Sequence, residues 1–200
     1  MNILCFGDSN TYGTSPVDGK RFAADERWPS LLGIKLGAGY QVIEAGQPNR
    51  TLVNDPPFSG DKLGIKYLEP YLAAYHLDVI IIQLGTNDLK RRFALSVADI
   101  AKALEALISN IKKYYLHRDL PKIIILSAPR VYEVGAYQSI YAGHINLFFG
   151  VISIYLFELI ILYGYILYYT AHCVMSLIQI VELLIRSESR DSHIWQSFGI

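Results

Sequence analysis

Two hundred residues, with 18 Lys plus Arg against 18 Asp plus Glu, amount to one domain of ordinary size that can bury a sizeable core. A net charge of zero gives no argument for a nucleic-acid binder or for a protein held on an anionic membrane surface. The two cysteines, Cys5 and Cys173, form neither a disulfide framework nor a metal pattern.

The apolar run 2–6, ended by Gly7, predicts a buried parallel strand with Cys5 in the core. It is too short for the apolar part of a secretion signal, so the first half reads as cytoplasmic. The sequon Asn49-Arg50-Thr51 then reads as chance. Gly7-Asp8-Ser9-Asn10 follows, and all four residues suit a simple turn. The same quartet also fits a nucleophile: Gly7 gives room for the Ser9 hydroxyl to point away from the sheet. The G-x-S-x-G elbow of the large α/β-hydrolase fold is absent.

Residues 28–36 have apolar positions at helical spacing. Residues 40–43 predict a second strand, closed by Glu44-Ala45-Gly46. The stretch 49–61 is rich in Pro, Asn, Asp and Gly and reads as a loop. Residues 63–75 predict a helix interrupted or restarted near Pro70. Residues 79–84 predict the third strand, followed by Gly85-Thr86-Asn87-Asp88. The clearest helix is 96–115. Val97, Ile100, Ala101, Leu104, Ile108 and Ile111 fall on one face, and Ser96 with Asp99 resembles a capping box. Residues 122–126 predict the fourth strand, closed by Ser127-Ala128-Pro129.

Strands alternating with helices imply a parallel sheet with right-handed crossovers. The chemistry of such sheets lies beyond the carboxyl ends of the strands, where Ser9, the 46–51 loop, Asn87 and the 127–130 segment all fall. Each position has two readings. Asn87 is an oxyanion donor, a role worth about 2.7–4 kcal/mol in comparable hydrolases, or it is a cap or turn residue. Asp88 starts a helix or orders the loop by accepting backbone N–H bonds. Asn49 tolerates left-handed angles and presents a backbone N–H in a tight turn, or it belongs to an ordinary surface loop.

Gly7-Asp8-Ser9, Gly46 with its following loop, and Gly85-Thr86-Asn87-Asp88 together resemble three blocks of the SGNH (GDSL) hydrolases. The stretch from Arg21-Phe22 to Arg27-Trp28, with Glu44-x-Gly46-x-x-x-Arg50-Thr51, is most similar to the arylesterase/acyltransferase branch. The resemblance covers about residues 2–130. It implies a three-layer α/β/α fold of flavodoxin-like topology and the hydrolysis of small carboxylic esters through an acyl-enzyme, with transfer to an alcohol as a variant. Ser9 is then the nucleophile and a donor through its own N–H, Asn87 the side-chain oxyanion donor, and the Asn49 N–H the further donor. The implied partner is a small-molecule ester, with no metal and no cofactor; a homo-oligomer stays open.

The family's last block, Asp-x-x-His, is missing. Asp191-Ser192-His193 is one residue too short, and none of His76, His117, His144 or His172 has an aspartate three residues before it. The composition also breaks. Residues 134–185 hold two acidic residues, Glu158 and Glu182, and no Lys or Arg. The chain is thus a single domain, family-like over 1–133 and divergent over 134–200. Three readings compete for the tail. His193 is the base of a divergent ending. Alternatively, 145–157 and 159–181 associate with a membrane. Otherwise the reading frame shifts near 134–145, which accounts for the apolar gain and the lost block together. In that case the chain is an inactive or truncated relative, its sheet short of an edge strand.

Overall fold

Alternate residues of the first apolar run serve opposite faces of a sheet, and both faces are covered. The computed structural model describes residues 1–52, 64–126, 138–141 and 166–167. Strand β1 is Asn2–Gly7, followed by a one-turn helix α1, Ser9–Tyr12, and by α2, Trp28–Leu36. Then come β2, Gln41–Gly46; α3, Gly64–Ala74; and β3, Val79–Gln83. A 3-10 turn at Arg91–Phe93 precedes α4, Val97–Tyr114, and β4, Lys122–Leu126. The short α5, Gln138–Tyr141, and β5, Ile166–Leu167, complete the described elements.

The strands form one sheet in the order β2-β1-β3-β4-β5, with every described pairing parallel. This is the flavodoxin-like order. Ile3 and Cys5 pack with Trp28, Leu32 and Leu36 of α2 on one face. Leu4 and Phe6 pack with Leu68 and Leu72 of α3 and with Leu104 and Ile111 of α4 on the other. Period-2 burial in the strands therefore produces the three-layer α/β/α domain. Each fully buried Ile or Leu contributes about 1.5–3 kcal/mol.

The capping box of α4 is present: Asp99 N donates to Ser96 Oγ at 3.2 Å, and Ser96 N donates to Asp99 Oδ2 at 2.9 Å. Three elements differ from the sequence reading. Strand β2 runs on through Glu44-Ala45 to Gly46, because its register with β1 continues to Gly7↔Gly46 and Glu44 finds cationic partners at the sheet edge. Helix α3 passes through Pro70 without a break. Pro70 is exposed while Leu68 and Leu72 are buried on either side, so packing outweighs the missing N–H. A fifth strand also exists: Ile125↔Ile166 and Leu126↔Leu167 pair in parallel. These two residues lie inside the stretch 159–181 that hydropathy offers as a span. Among the described residues no helix is long and apolar enough to cross a membrane. The segment 127–130, the frame-shift region 134–145 (apart from α5) and Asp191 to His193 lie outside the described residues.

Candidate active site

The site is built where three neighbouring strands end. Register places Gly7 beside both Gly46 and Gln83. At a strand spacing of about 4.8 Å, the three ends lie within roughly 10 Å of one another. Both glycines are needed for close approach. A Cβ on Gly46 would come within 2.6 Å of the main chain of Thr11 and Tyr12, and one on Gly7 within 2.8 Å of the Gln83 carbonyl. Helix α1 can therefore sit directly on the ends of β1 and β2.

Ser9 is the first residue of α1 and is partly exposed. Asp8 caps the helix and is fully buried. Its Oδ1 accepts from Asn10 N at 2.9 Å and from Asn10 Nδ2 at 3.1 Å, while Oδ2 has no hydrogen-bond partner among the described residues. Burial pushes the Asp8 carboxyl up to about 6, although the bonds from Asn10 pull it down. Asn10 Nδ2 also reaches Thr86 Oγ1 at 3.4 Å, which ties the first loop to the third. Beneath them, Gln83 Oε1 accepts from Thr11 Oγ1 at 3.0 Å and from Trp28 Nε1 at 3.1 Å.

The second loop is closed by Arg50 N donating to the Gln47 carbonyl at 3.1 Å, and Gln47 N donates to the Gly7 carbonyl at 3.0 Å. Within this turn Asn49 has φ 64°, in the left-handed region. Asn49 is exposed, and its Oδ1 accepts from Lys90 Nζ at 2.9 Å. Arg50 is buried, with its guanidinium 4.2 Å from the Phe6 ring centroid. Its Nη1 donates to the Gly7 carbonyl at 3.0 Å and to the Ala45 carbonyl. Burial pushes its pKa down to about 10, opposed by Tyr71, Asp8 and Tyr67.

In the third loop Asn87 is buried, and its Nδ2 donates to the Arg50 carbonyl at 3.0 Å. Asp88 does not start a helix. Both of its carboxylate oxygens accept from Leu52 N, at 2.9 and 3.1 Å, so it orders the second loop. The structure thus brings the loops of Ser9, Asn49 and Asn87 together at one edge and laces them to one another.

Arg50 and Gln83 carry much of this lacing, and the sequence reading assigned neither a role. The signal for Gln83 is a lone amide closing the apolar run 79–82. The signal for Arg50 is its place in the block that starts at Glu44.

The two described histidines cannot serve Ser9. The His76 carbonyl accepts from Asn2 Nδ2 at 2.7 Å, at the start of β1, about 16 Å of strand from Gly7. His117 lies between α4 and β4, on the same amino-terminal side of the sheet. His193, the base that the sequence offers, lies outside the described residues. Among the described residues no group of three or more His, Cys, Asp or Glu side chains is placed to hold a metal.

Comparison with known proteins agrees with this architecture. Residues 5–146 match the GDSL-like Lipase/Acylhydrolase family. The chain belongs to that family. It is a carboxylic ester hydrolase, and its three-layer fold is that of solved relatives. The native aryl esterase of M. smegmatis is 30% identical with a TM-score of 0.80, covering 93% of this chain and 98% of that one. Its inhibitor-bound form is 28% identical with a TM-score of 0.81 and the same coverage. A carbohydrate acetylesterase family member from Sinorhizobium meliloti is 25% identical with a TM-score of 0.79, covering 93% of this GDSL-like hydrolase and 97% of that chain. Among curated proteins no sequence match is found.

Proposed function

We propose that this GDSL-like hydrolase cleaves small carboxylic esters through an acyl-enzyme on Ser9, with aryl and acetyl esters as the first substrates to test. Ser9 Oγ attacks the carbonyl carbon and loses its proton to a base. The carbonyl oxygen takes up the negative charge. The alcohol leaves with a proton, and water repeats the sequence on the acyl group. An alcohol in place of water makes the same step a transfer.

The oxyanion is held by the Ser9 N–H, the Asn49 N–H and the second N–H of the Asn87 amide. The observation that carries this reading is the lacing of the three loops. The loop beyond each of the three strand ends carries a donor or the nucleophile, and hydrogen bonds between the loops tie them together. Preorganised donors of this kind cost no rearrangement when the charge develops. The aryl esterase and acetylesterase neighbours support the choice of substrates.

The base is one of His144, His172 and His193. His193, two residues after Asp191, is the first to replace. Turnover of a small aryl acetate tests the reading. Ser9→Ala abolishes it, and one of the three histidine variants reduces it by about 10³-fold or more. Turnover that survives Ser9→Ala overturns the assignment.

A further inference from the structure

Arg50 is a buried cation for which the ester chemistry itself has no use. It is 3% exposed, and among the described residues its Nε has no hydrogen-bond partner. Burying a guanidinium costs several kcal/mol unless its surroundings compensate. Its surroundings are the supports of the three donors. Through Nη1 it holds the Gly7 and Ala45 carbonyls, the ends of the two strands that lead into Ser9 and Asn49. Through its own N–H to Gln47 it closes the turn that holds Asn49 at positive φ. Through its own carbonyl it takes one N–H of Asn87 and leaves the other to face elsewhere. The ring of Phe6 under the guanidinium, with Tyr67 at 5.7 Å, fixes the plane of the fork.

We propose that the Arg50 guanidinium is the positioning group of the oxyanion site, holding the ends of β1 and β2 that carry the Ser9 and Asn49 donors while touching no substrate itself, its main-chain bonds to Gln47 and Asn87 being ones that any residue there would make. The inference rests on the function proposed above. A donor aims at the oxygen only as it becomes an oxyanion, so a displaced donor costs transition-state stabilisation and leaves ground-state binding alone.

The test is Arg50→Met, which keeps an unbranched apolar stem over Phe6 and removes the fork. The variant's fold is checked by circular dichroism, and Ser9→Ala is assayed beside it. With an aryl acetate, kcat falls about 10–100-fold while KM stays within about twofold, because removing one such donor outright costs about 10²–10³-fold. The affinity of a small boronic acid, which becomes tetrahedral on the serine, falls by the same factor as kcat. If Arg50→Met does not fold, Arg50→Lys supplies the measurement. It keeps the charge and loses the fork, and the same kcat-only loss is expected, smaller in size. A folded variant with kcat within threefold of the parent, or a loss confined to KM, overturns the inference. If that happens while Ser9→Ala is inactive, the serine reading survives; turnover in Ser9→Ala means the serine reading itself has failed.

Discussion

The side-chain amide of Asn87 donates to the main-chain carbonyl of Arg50 at 3.0 Å. A carbonyl only accepts, so this bond decides which end of the amide faces it, and one N–H remains for another partner. Replacing Asn87 by Ala is expected to lower kcat on an aryl acetate by about 10²–10³-fold with little change in KM. Steady-state kinetics check this, and a loss in KM alone speaks against a donor role.

Gly46 admits no side chain. A Cβ there meets the main chain of Thr11 and Tyr12, within the helix that begins at Ser9. Backbone cannot yield as a side-chain tip does. Gly46→Ala is expected to lose about 2–3 kcal/mol in a denaturant titration and most of its activity. A variant of parental stability contradicts the packing of α1 on β2.

Asp8 makes stability depend on pH. A carboxyl whose pKa rises from 3.8 to about 6 on folding contributes its full stabilisation below 3.8 and loses it as the pH rises through 6. Asp8→Asn keeps an acceptor for Asn10 and removes the buried charge. At pH 8 the variant is expected to be more stable than the parent by roughly 3 kcal/mol, and the advantage is expected to disappear by pH 4. Paired melting curves across this range decide it.

Glu44 anchors the loop between α1 and α2. It accepts from Arg21 Nη2 at 2.8 Å, from Arg27 Nε at 2.9 Å and from Ser30 Oγ at 2.5 Å. Burial raises its pKa, but the bonds from Arg27 and Ser30 and the charge of Arg21 outweigh that, and the net shift is downward. A depressed carboxyl contributes above its ordinary value of 4.5, and the contribution is lost as the pH falls through the lowered pKa. Glu44→Gln is expected to cost about 1–2 kcal/mol at pH 7 and to speed tryptic cleavage after Lys20 and Arg21. Unchanged cleavage means that other contacts hold the loop.

Much of this fold is written in short-range pattern. The runs 79–82 and 122–126 are all apolar or nearly so, and the Ser96–Asp99 box marks the start of α4 directly. Positions that depend on tertiary partners are harder to read. Glu44 looks like the end of a strand until Arg21 and Arg27 are brought to it. Pro70 looks like a break until Leu68 and Leu72 fix the helix around it. Nor does sequence spacing show that Arg50 reaches back to Gly7, because that contact depends on the parallel register of β1 and β2. The helix α1 is only four residues long and is set by the Asp8 cap and the two close glycines rather than by any periodicity. Strand β5 in the tail is likewise a matter of pairing with β4, which composition does not reveal.

The central claim is that Ser9 carries the acyl group. The most direct measurement is to quench a reaction with an activated aryl acetate, digest with trypsin and weigh the peptide 1–20, with fragmentation to place the adduct. The predicted result is an acetyl group on Ser9, absent from Ser9→Ala, which also shows no turnover. An adduct on another residue, or ester hydrolysis by Ser9→Ala at the parental rate, would contradict it.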